Sequence, residues 1–227
     1  MILYLLIDFL QGAISPLEFL QFLCFSLIAV VIAITVHEWS HALASYCQGD
    51  KTAKYDGRLS LNPFAHLNIF GFLMLLLFGF GWARPVNVRA SNFKRPRLGC
   101  AITAAAGPLS NFILAFIVSP FLTITILQSI TNPSNLFTNL STLLEYIMMY
   151  NLSLGLFNLI PVPPLDGSRI LGECLPLKYR IKYYNLERYG FFIALGIILI
   201  LDRIQLFDLV IYNIAMAFMR LWIPLFA

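Results

Sequence analysis

The sequence predicts an all-α polytopic membrane protein with about five to six transmembrane helices, a re-entrant hairpin and short β-strand elements. Hydrophobic residues make up 59% of the chain and charged residues only 11%, whereas charged residues are about 25% of a soluble domain. The apolar residues are gathered in runs long enough for membrane helices. No internal repeat or polar domain interrupts them, so we expect a single domain over residues 1–227, with a core at about 19–170 and C-terminal helices at about 185–226.

The first half of the chain supplies three apolar runs. Ile2–Ile14 is short and contains Asp8. It lacks the basic start of a signal peptide, so we expect it to stay in the mature protein as an interfacial helix, a tilted helix or a short span. Phe19–Tyr46 is the first full span. Ile69–Trp82 is apolar but short for a helix that must cross about 30 Å of hydrocarbon.

The second half adds four apolar runs, which we predict to be helices: Cys100–Gln128, Leu140–Ile160, Tyr189–Leu201 and Leu206–Phe226. Lys and Arg residues form three clusters between the apolar runs, within residues 51–58, 84–97 and 178–188. Because cytoplasmic loops carry an excess of Lys and Arg, all three clusters are predicted to face the cytoplasm. The uncharged connection at residues 131–138 then lies on the other side.

Ile69–Trp82 lies between two clusters that face the same side, so it is predicted to be a re-entrant hairpin. Gly71, Gly79 and Gly81 suit its bends, because glycine adopts backbone conformations that other residues avoid. Re-entrant backbone is tolerated where protein or water covers it. A plain span with an inverted loop is the alternative.

The most informative motif is an H-E-x-x-H sequence, formed by His37, Glu38 and His41 toward the cytoplasmic end of Phe19–Tyr46. On a helix, the two histidines lie one turn apart on the same face and can bind one zinc ion, with Glu38 placed to accept a proton from a metal-bound water. Two surface histidines beside a solvated Glu38 are the alternative. The zinc site is favoured for two reasons. The chain has only three histidines, and two of them form this pair. In an apolar helix little water is present to solvate a carboxylate that has no function.

Catalytic zinc takes three protein ligands and a water, so a third ligand is needed. His66 and Asp166 are the candidates. Asp166 follows a proline-rich strip at residues 161–164 that closes Leu140–Ile160 on the side where the histidine helix also ends. With the H-E-x-x-H motif, this favours Asp166 as the ligand and Gly167 as the turn after it, although the segment alone reads as an ordinary proline-rich loop. His66 is better explained as a structural residue hydrogen-bonded at a turn.

Three motifs together resemble the site-2 protease family of intramembrane zinc metalloproteases. They are the H-E-x-x-H sequence in a membrane helix, a Gly-Pro-x-x-Asn sequence at 107–111, and an Asn-x-x-Pro-x-Pro-x-Leu-Asp-Gly sequence at 158–167. The resemblance covers about residues 19–170, and residues 57–66 and 81–86 resemble the compact bacterial branch. Asn68 departs from that branch, in which an acidic residue is common at this position.

The resemblance implies the roles of the site residues: His37, His41 and Asp166 as ligands of one Zn²⁺ ion, Glu38 as the catalytic glutamate, and Asn158 as a group that binds the substrate carbonyl or the oxyanion. It implies an intramembrane metalloprotease that cuts single-span membrane proteins within or next to their helices, in regulated intramembrane proteolysis. The expected location is the bacterial inner membrane, with the active site toward the cytoplasm. A non-catalytic zinc-binding scaffold or a metal transporter is the alternative.

The remaining expectations concern the surroundings of the site. A helical substrate must unwind before its amides can be attacked, and Tyr55–Leu61 and Val86–Val88 are predicted strands that could pair with the unwound segment. Gly107–Asn111 is predicted to give close helix packing and a kink, with Asn111 satisfying backbone groups. The sequence does not identify the acceptors for the second nitrogens of the histidines. The net charge of +4 follows from topology and does not suggest a nucleic-acid partner.

Overall fold

The computed structural model describes residues 2–78 and 84–226. Three short 3-10 turns lie at Pro63–Ala65, Ala90–Asn92 and Asn185–Tyr189. The α-helices are α1 (Ile2–Leu10), α2 (Pro16–Cys47), α3 (Thr52–Tyr55), α4 (Ile69–Phe78), α5 (Pro96–Thr131), α6 (Asn135–Asn158), α7 (Asp166–Cys174), α8 (Leu177–Tyr184), α9 (Gly190–Arg203), α10 (Leu206–Arg220) and α11 (Ile223–Phe226).

Four helical segments among the described residues are long and apolar enough to span a membrane: α2, α5, α6 and Leu206–Phe226, which contains α10 and α11. Two further helical segments, Leu177–Tyr189 and Phe192–Leu201, meet at an angle of 76°. They give a fifth span if they are counted together. The all-α membrane class is therefore confirmed. The described residues support four or five spans, fewer than the upper end of the predicted five to six.

α2 begins with a capping box. The Ser15 hydroxyl accepts a hydrogen bond from the Glu18 backbone N–H at 3.2 Å, and the Glu18 carboxylate accepts one from the Ser15 N–H at 2.8 Å. The 32 residues of α2 extend about 48 Å at about 1.5 Å per residue, against roughly 30 Å for the hydrocarbon core. The helix must tilt or extend past the hydrocarbon, and its last turns carry His37 and His41.

α2, α5 and α6 pack together and enclose the main apolar core. Ala29 and Ala115 are fully buried there. A Cβ on Gly155 of α6 would lie 3.1 Å from the Pro108 carbonyl oxygen of α5, so the missing side chain allows these two helices to approach closely. Small residues serve this purpose in membrane bundles, because lipid tails are as apolar as leucine and association depends on close packing. α5 continues as one helix through Pro108.

The bundle has two ends that differ in composition. At one end, the Gln21 side chain donates to Asn139 Oδ1 at 2.9 Å, and residues 132–134 join α5 to α6. At the other end, Gln48 Nε2 donates to the Gly99 carbonyl at 3.3 Å and ties α2 to the start of α5. Residues 51–58, 84–97 and 169–188 adjoin this second end and carry three, five and five of the fifteen Lys and Arg residues. We call it the basic end.

The predicted strands at Tyr55–Leu61 and Val86–Val88 are not formed, since residues 2–78 and 84–226 contain no β-strand. Tyr55 ends α3 and a turn follows it. Val86 and Val88 do alternate with exposed neighbours, as in a strand, but they pack against a small core formed by Ala42 and Ala53. The β-prone residues are therefore used for side-chain packing and not for pairing with a neighbouring strand.

The predicted re-entrant hairpin is only partly described. Its first arm is α4, and its Gly79, Gly81 and Trp82 lie outside the described residues. Gly71 lies inside the first turn of α4 and not at a bend. Its N–H donates to Asn68 Oδ1 at 3.0 Å, so Asn68 caps this helix.

Candidate metal centre

α2 presents His37 and His41 one turn apart. Both residues are buried, with 5% and 8% of their surface exposed. Their ring planes are nearly perpendicular at 85°, and their centroids lie 4.7 Å apart. The two Nε2 atoms are 3.1 Å from each other. Helical spacing therefore brings two potential metal ligands together, as the H-E-x-x-H motif predicts.

Asp166 brings a carboxylate to the same point from a distant part of the chain. It is the first residue of α7, and its Oδ2 lies 3.0 Å from His37 Nε2 and 3.2 Å from His41 Nε2. Burial raises the pKa of Asp166, but the neighbouring His41 and His37 outweigh burial and hold that pKa well below its usual range. A carboxylate oxygen at this distance from both imidazoles is suited to bind a cation together with them.

Gly167 permits close packing next to Asp166, and the turn that the sequence predicts at this glycine is not there. Gly167 lies within α7, and a Cβ on it would collide with the Leu159 carbonyl oxygen. The missing side chain lets the start of α7 rest against the segment that leaves α6. This contact helps to set the position of the Asp166 carboxylate.

The second nitrogen of each histidine has a hydrogen-bond partner. His41 Nδ1 lies 2.7 Å from the Thr103 carbonyl oxygen. His37 Nδ1 lies 2.6 Å from Asn111 Oδ1. Oxygens of this kind accept hydrogen bonds, so in a neutral imidazole the proton sits on Nδ1 and the Nε2 lone pair is open to a metal.

The three donor atoms fit one zinc ion. His37, His41 and Asp166 form a group whose ligand atoms all lie within 4.8 Å of one another, with both Nε2–Oδ2 distances near 3 Å. Tetrahedral zinc, with bonds of about 2.0–2.1 Å, holds its ligands roughly 3.3 Å apart. Gly107 keeps space beside them, since a Cβ there would collide with His41 Nε2 and lie 2.7 Å from His37 Nε2.

Glu38 and Asn158 are the other two predicted site residues. Glu38 follows His37 on α2 and is half-buried. Asn158 is the last residue of α6, and its side-chain amide donates to the Leu154 carbonyl at 3.0 Å. Neither residue belongs to the group of three side chains that could hold a metal ion.

His66 lies apart from the metal group found among the described residues. It is fully buried, and its Nε2 donates to the Ser60 carbonyl oxygen at 2.7 Å. A hydrogen-bonded histidine next to a turn agrees with the structural role that the sequence predicts.

The sequence predicts close packing at Gly107–Asn111 and an Asn111 that satisfies backbone groups, which agrees with its bond to the Ala33 carbonyl. It does not identify Gly107 as the residue beside the ligands, nor Asn111 and Thr103 as partners of the histidines. A signal exists for Asn111, because an amide within an apolar helix needs partners. Thr103 gives no signal, since it contributes a backbone carbonyl that any residue type could supply.

Comparisons with known proteins relate this chain to metalloproteases. Residues 25–201 match the model of Peptidase family M50. The chain is 42% identical to the "Putative zinc metalloprotease YwhC" of Bacillus subtilis over 180 residues, which are 79% of this chain and 81% of that protein. It is 31% identical to the "Putative zinc metalloprotease MJ0611" of Methanocaldococcus jannaschii over 147 residues, 64% of this chain and 68% of that protein. No solved structure matches the chain significantly.

Proposed function

This chain belongs to Peptidase family M50, the site-2 protease family, and from that membership we propose that it hydrolyses peptide bonds within or next to the transmembrane helices of other membrane proteins. The family and the names of its relatives mark it as a zinc metalloprotease. We further propose that the substrate is a single-span membrane protein and that its cleavage is part of regulated intramembrane proteolysis.

One observation carries the proposal. His37 Nε2, His41 Nε2 and Asp166 Oδ2 converge at one point. Both histidines and the intervening Glu38 lie on a helix long and apolar enough to span the membrane. We assign the three converging residues as ligands of one zinc ion. Two neutral imidazoles and one carboxylate would leave the loaded site with a charge of about +1, so the site needs a polar, hydrated approach. That approach is proposed to lie at the basic end.

Bound zinc would polarise the scissile carbonyl and lower the pKa of a water toward neutrality. Glu38 is the proposed general base: its carboxylate takes a proton from the attacking water and then delivers a proton to the leaving amine. Asn111 and the Thr103 carbonyl hold the two imidazoles in place through their Nδ1 atoms. The half-buried position of Glu38 suits this role, since water can reach it.

Asn158 is the proposed binding group for the substrate carbonyl or the oxyanion. An amide nitrogen carries two N–H donors, and the bond to the Leu154 carbonyl uses one of them. The second donor is suited to an oxygen on which negative charge develops. Asn158 ends the helix that leads, eight residues later, to Asp166.

A transmembrane substrate must lose part of its helix before attack, because helical amides are already hydrogen-bonded. We propose that unwinding occurs at the basic end, which faces the cytoplasm of a bacterial inner membrane by the distribution of Lys and Arg. Val86–Val88 belongs to no helix there and pairs with no strand among the described residues. It offers a backbone edge to an unwound substrate.

The proposal is tested by incubating purified protein in detergent with a panel of single-span reporter proteins. Wild type and Glu38→Gln are compared at equal zinc content. We expect Glu38→Gln to bind zinc and to lose cleavage by at least about 100-fold, the lower range for removing a general base. Glu145→Gln, the same change at an exposed carboxylate of α6, should cleave like wild type.

Two outcomes would contradict the proposal. Cleavage that persists in Glu38→Gln would remove Glu38 from the mechanism. Zinc binding without cleavage of any reporter, including membrane proteins from the same cell, would favour the non-catalytic scaffold or the transporter.

A further inference from the structure

Two asparagines lie fully buried in the bundle, one on each helix that packs against α2. Asn111 of α5 and Asn151 of α6 are both 0% exposed. Burying an amide among apolar side chains costs free energy unless its donors and acceptors find partners. Such a pair in the interior of a membrane bundle therefore calls for a physical explanation.

Hydrogen bonds across three helices satisfy these amides. Asn111 Nδ2 donates to the Ala33 carbonyl of α2 at 3.0 Å and to Asn151 Oδ1 at 2.7 Å. Asn151 Nδ2 donates to the Ile147 carbonyl within α6 at 2.8 Å. Asn111 Oδ1 in turn lies 2.6 Å from His37 Nδ1.

The chain of bonds has a fixed direction. Backbone carbonyls only accept, so Ile147 requires the NH₂ group of Asn151, and Ala33 requires the NH₂ group of Asn111. Asn151 then presents its oxygen to the second N–H of Asn111. Asn111 is left with its oxygen toward His37, and that oxygen can only accept a hydrogen bond from Nδ1.

We propose that Asn111 and Asn151 are positioning residues that act as a two-amide relay, which keeps the proton of His37 on Nδ1 and leaves Nε2 open to zinc. A reversed Asn111 amide would offer N–H groups to Nδ1 and favour the proton on Nε2, where it would block the metal. Asn151 opposes this reversal by giving the Asn111 NH₂ group an acceptor. The proposal rests on the proposed zinc site, and it concerns metal binding and not the cleavage step.

His41 has no need of such a relay. Its Nδ1 faces the Thr103 backbone carbonyl, which cannot be turned round to become a donor. His37 and His41 thus both carry the proton on Nδ1, but different groups keep it there. Only the group that faces His37 is a side chain, so only that contact can be removed by substitution.

The test is a double-mutant cycle on zinc affinity, measured by competition with a chelator. The proteins are wild type, Asn111→Leu, Asn151→Leu and the double variant, since leucine is similar in size and makes no hydrogen bonds. We expect Asn111→Leu to weaken zinc binding about 10- to 100-fold, as for other groups that orient a ligating histidine. Asn151→Leu should have a smaller effect, because the Ala33 carbonyl still orients Asn111.

The double variant decides whether Asn151 acts through Asn111. If it does, the double variant binds zinc like Asn111→Leu alone; independent roles would multiply the two effects. Thr123→Val is the control, because it removes a buried hydroxyl of α5 that bonds only within its own helix, to the Ser119 carbonyl. It should leave zinc affinity unchanged. Wild-type affinity in Asn111→Leu, or multiplied effects in the double variant, would overturn the relay.

Asn111→Asp separates positioning from general packing, even if the leucine variant folds poorly. Aspartate keeps an oxygen toward His37 but loses both N–H donors to Ala33 and Asn151. The relay predicts tighter zinc binding in Asn111→Asp than in Asn111→Leu. A merely structural role predicts the reverse order, because a buried carboxylate facing two acceptor oxygens costs more than leucine. Failure of the proposed function can be distinguished from failure of the relay. If the zinc affinities follow the predicted order but no variant and no wild type cleaves a substrate, proteolysis is overturned and the relay is not.

Discussion

At the scale of single residues, Gly107 is where one added carbon should have the largest effect on the centre. A Cβ there would collide with His41 Nε2 and lie 2.7 Å from His37 Nε2. Both ligating nitrogens would have to move, so Gly107→Ala should weaken zinc binding by more than the about 100-fold upper range for loss of an orienting partner. Chelator competition on the purified variant measures this directly, and cleavage should be lost with the zinc.

Gly196→Ala provides the matched control for that prediction. Gly196 lies in α9, and a Cβ on it would have no atom within 4 Å. Alanine costs less conformational entropy than glycine in a helix, so this variant should bind zinc normally and be more stable by about 0.5–1 kcal/mol. Normal zinc affinity in Gly107→Ala would show that the centre is looser than the structure indicates.

The sequence predicts the residues whose chemistry is local and leaves out those whose role depends on the fold. His37 and His41 are predictable because helical periodicity alone puts them on one face. Asp166 is predictable from topology, since two helices that end on the same side bring their ends together. Close packing at Gly107–Asn111 and backbone contacts of Asn111 are predictable too. Their contacts with the histidines are not, because these depend on how α5 is rotated and how close it lies to α2. That information belongs to packing between helices.

At the scale of structural elements, the carboxylate of Asp50 fastens the segment before α5 to the end of α2. Asp50 is fully buried and accepts hydrogen bonds from the Arg89 N–H and the Asn92 side chain, both at 2.8 Å. It also accepts hydrogen bonds from the Thr52 hydroxyl at 2.6 Å and from the Thr52 backbone N–H at 3.1 Å. No cation pairs with it among the described residues, so these hydrogen bonds carry the whole interaction.

Asp50 should make the attachment of this segment pH-dependent. Burial raises the pKa of Asp50, but the hydrogen bonds from Thr52, Arg89 and Asn92 outweigh burial and hold that pKa below its usual range. A group whose pKa is lower in the folded state stabilises the fold above its unfolded pKa, about 3.9 for aspartate, and loses that contribution as the pH falls through the folded value. Amide hydrogen exchange of residues 84–92 should therefore reveal easier local opening below about pH 4.

Asp50→Asn should lower the free energy of local opening of this segment by about 2 kcal/mol at neutral pH as well. The reason is that hydrogen bonds to a charged acceptor are replaced by weaker ones. The difference between the variant and wild type should shrink at low pH, where the wild-type carboxyl is protonated. Asp208→Asn is the control, because Asp208 is exposed near the start of α10 and lies outside this segment. It should exchange like wild type at both pH values.

The positions of the membrane helices are predictable where the hydrophobicity of the sequence determines them. α2, α5 and α6 begin three, four and five residues before the predicted apolar runs, because caps and prolines extend each helix into polar sequence that hydropathy does not register. The strands expected near residues 55 and 87 fail for a related reason. Val86 and Val88 of the second segment and Leu59 of the first pack with Ala42 and Ala53. A single segment cannot show from its composition which surface it will contact.

At the scale of the whole molecule, the charges are separated along the bundle. Residues 1–50 and 98–168, which include the connection at 132–134, contain no Lys or Arg. The metal centre lies toward the opposite, basic end, where α2 ends and α7 begins. Because Lys and Arg are retained in the cytoplasm, this asymmetry predicts that the centre lies within reach of cytoplasmic water.

Cysteine labelling of intact cells tests this orientation. The four native cysteines are replaced, and a single cysteine is introduced as Pro133→Cys or as Ser91→Cys, both at exposed positions on opposite ends of the bundle. A thiol reagent that cannot cross the membrane should modify residue 133 in intact cells and residue 91 only after the cells are opened. The reverse pattern would place the metal centre on the outer side. Water and the unwound substrate would then have to enter from outside, and the charge argument for a cytoplasmic active site would be wrong.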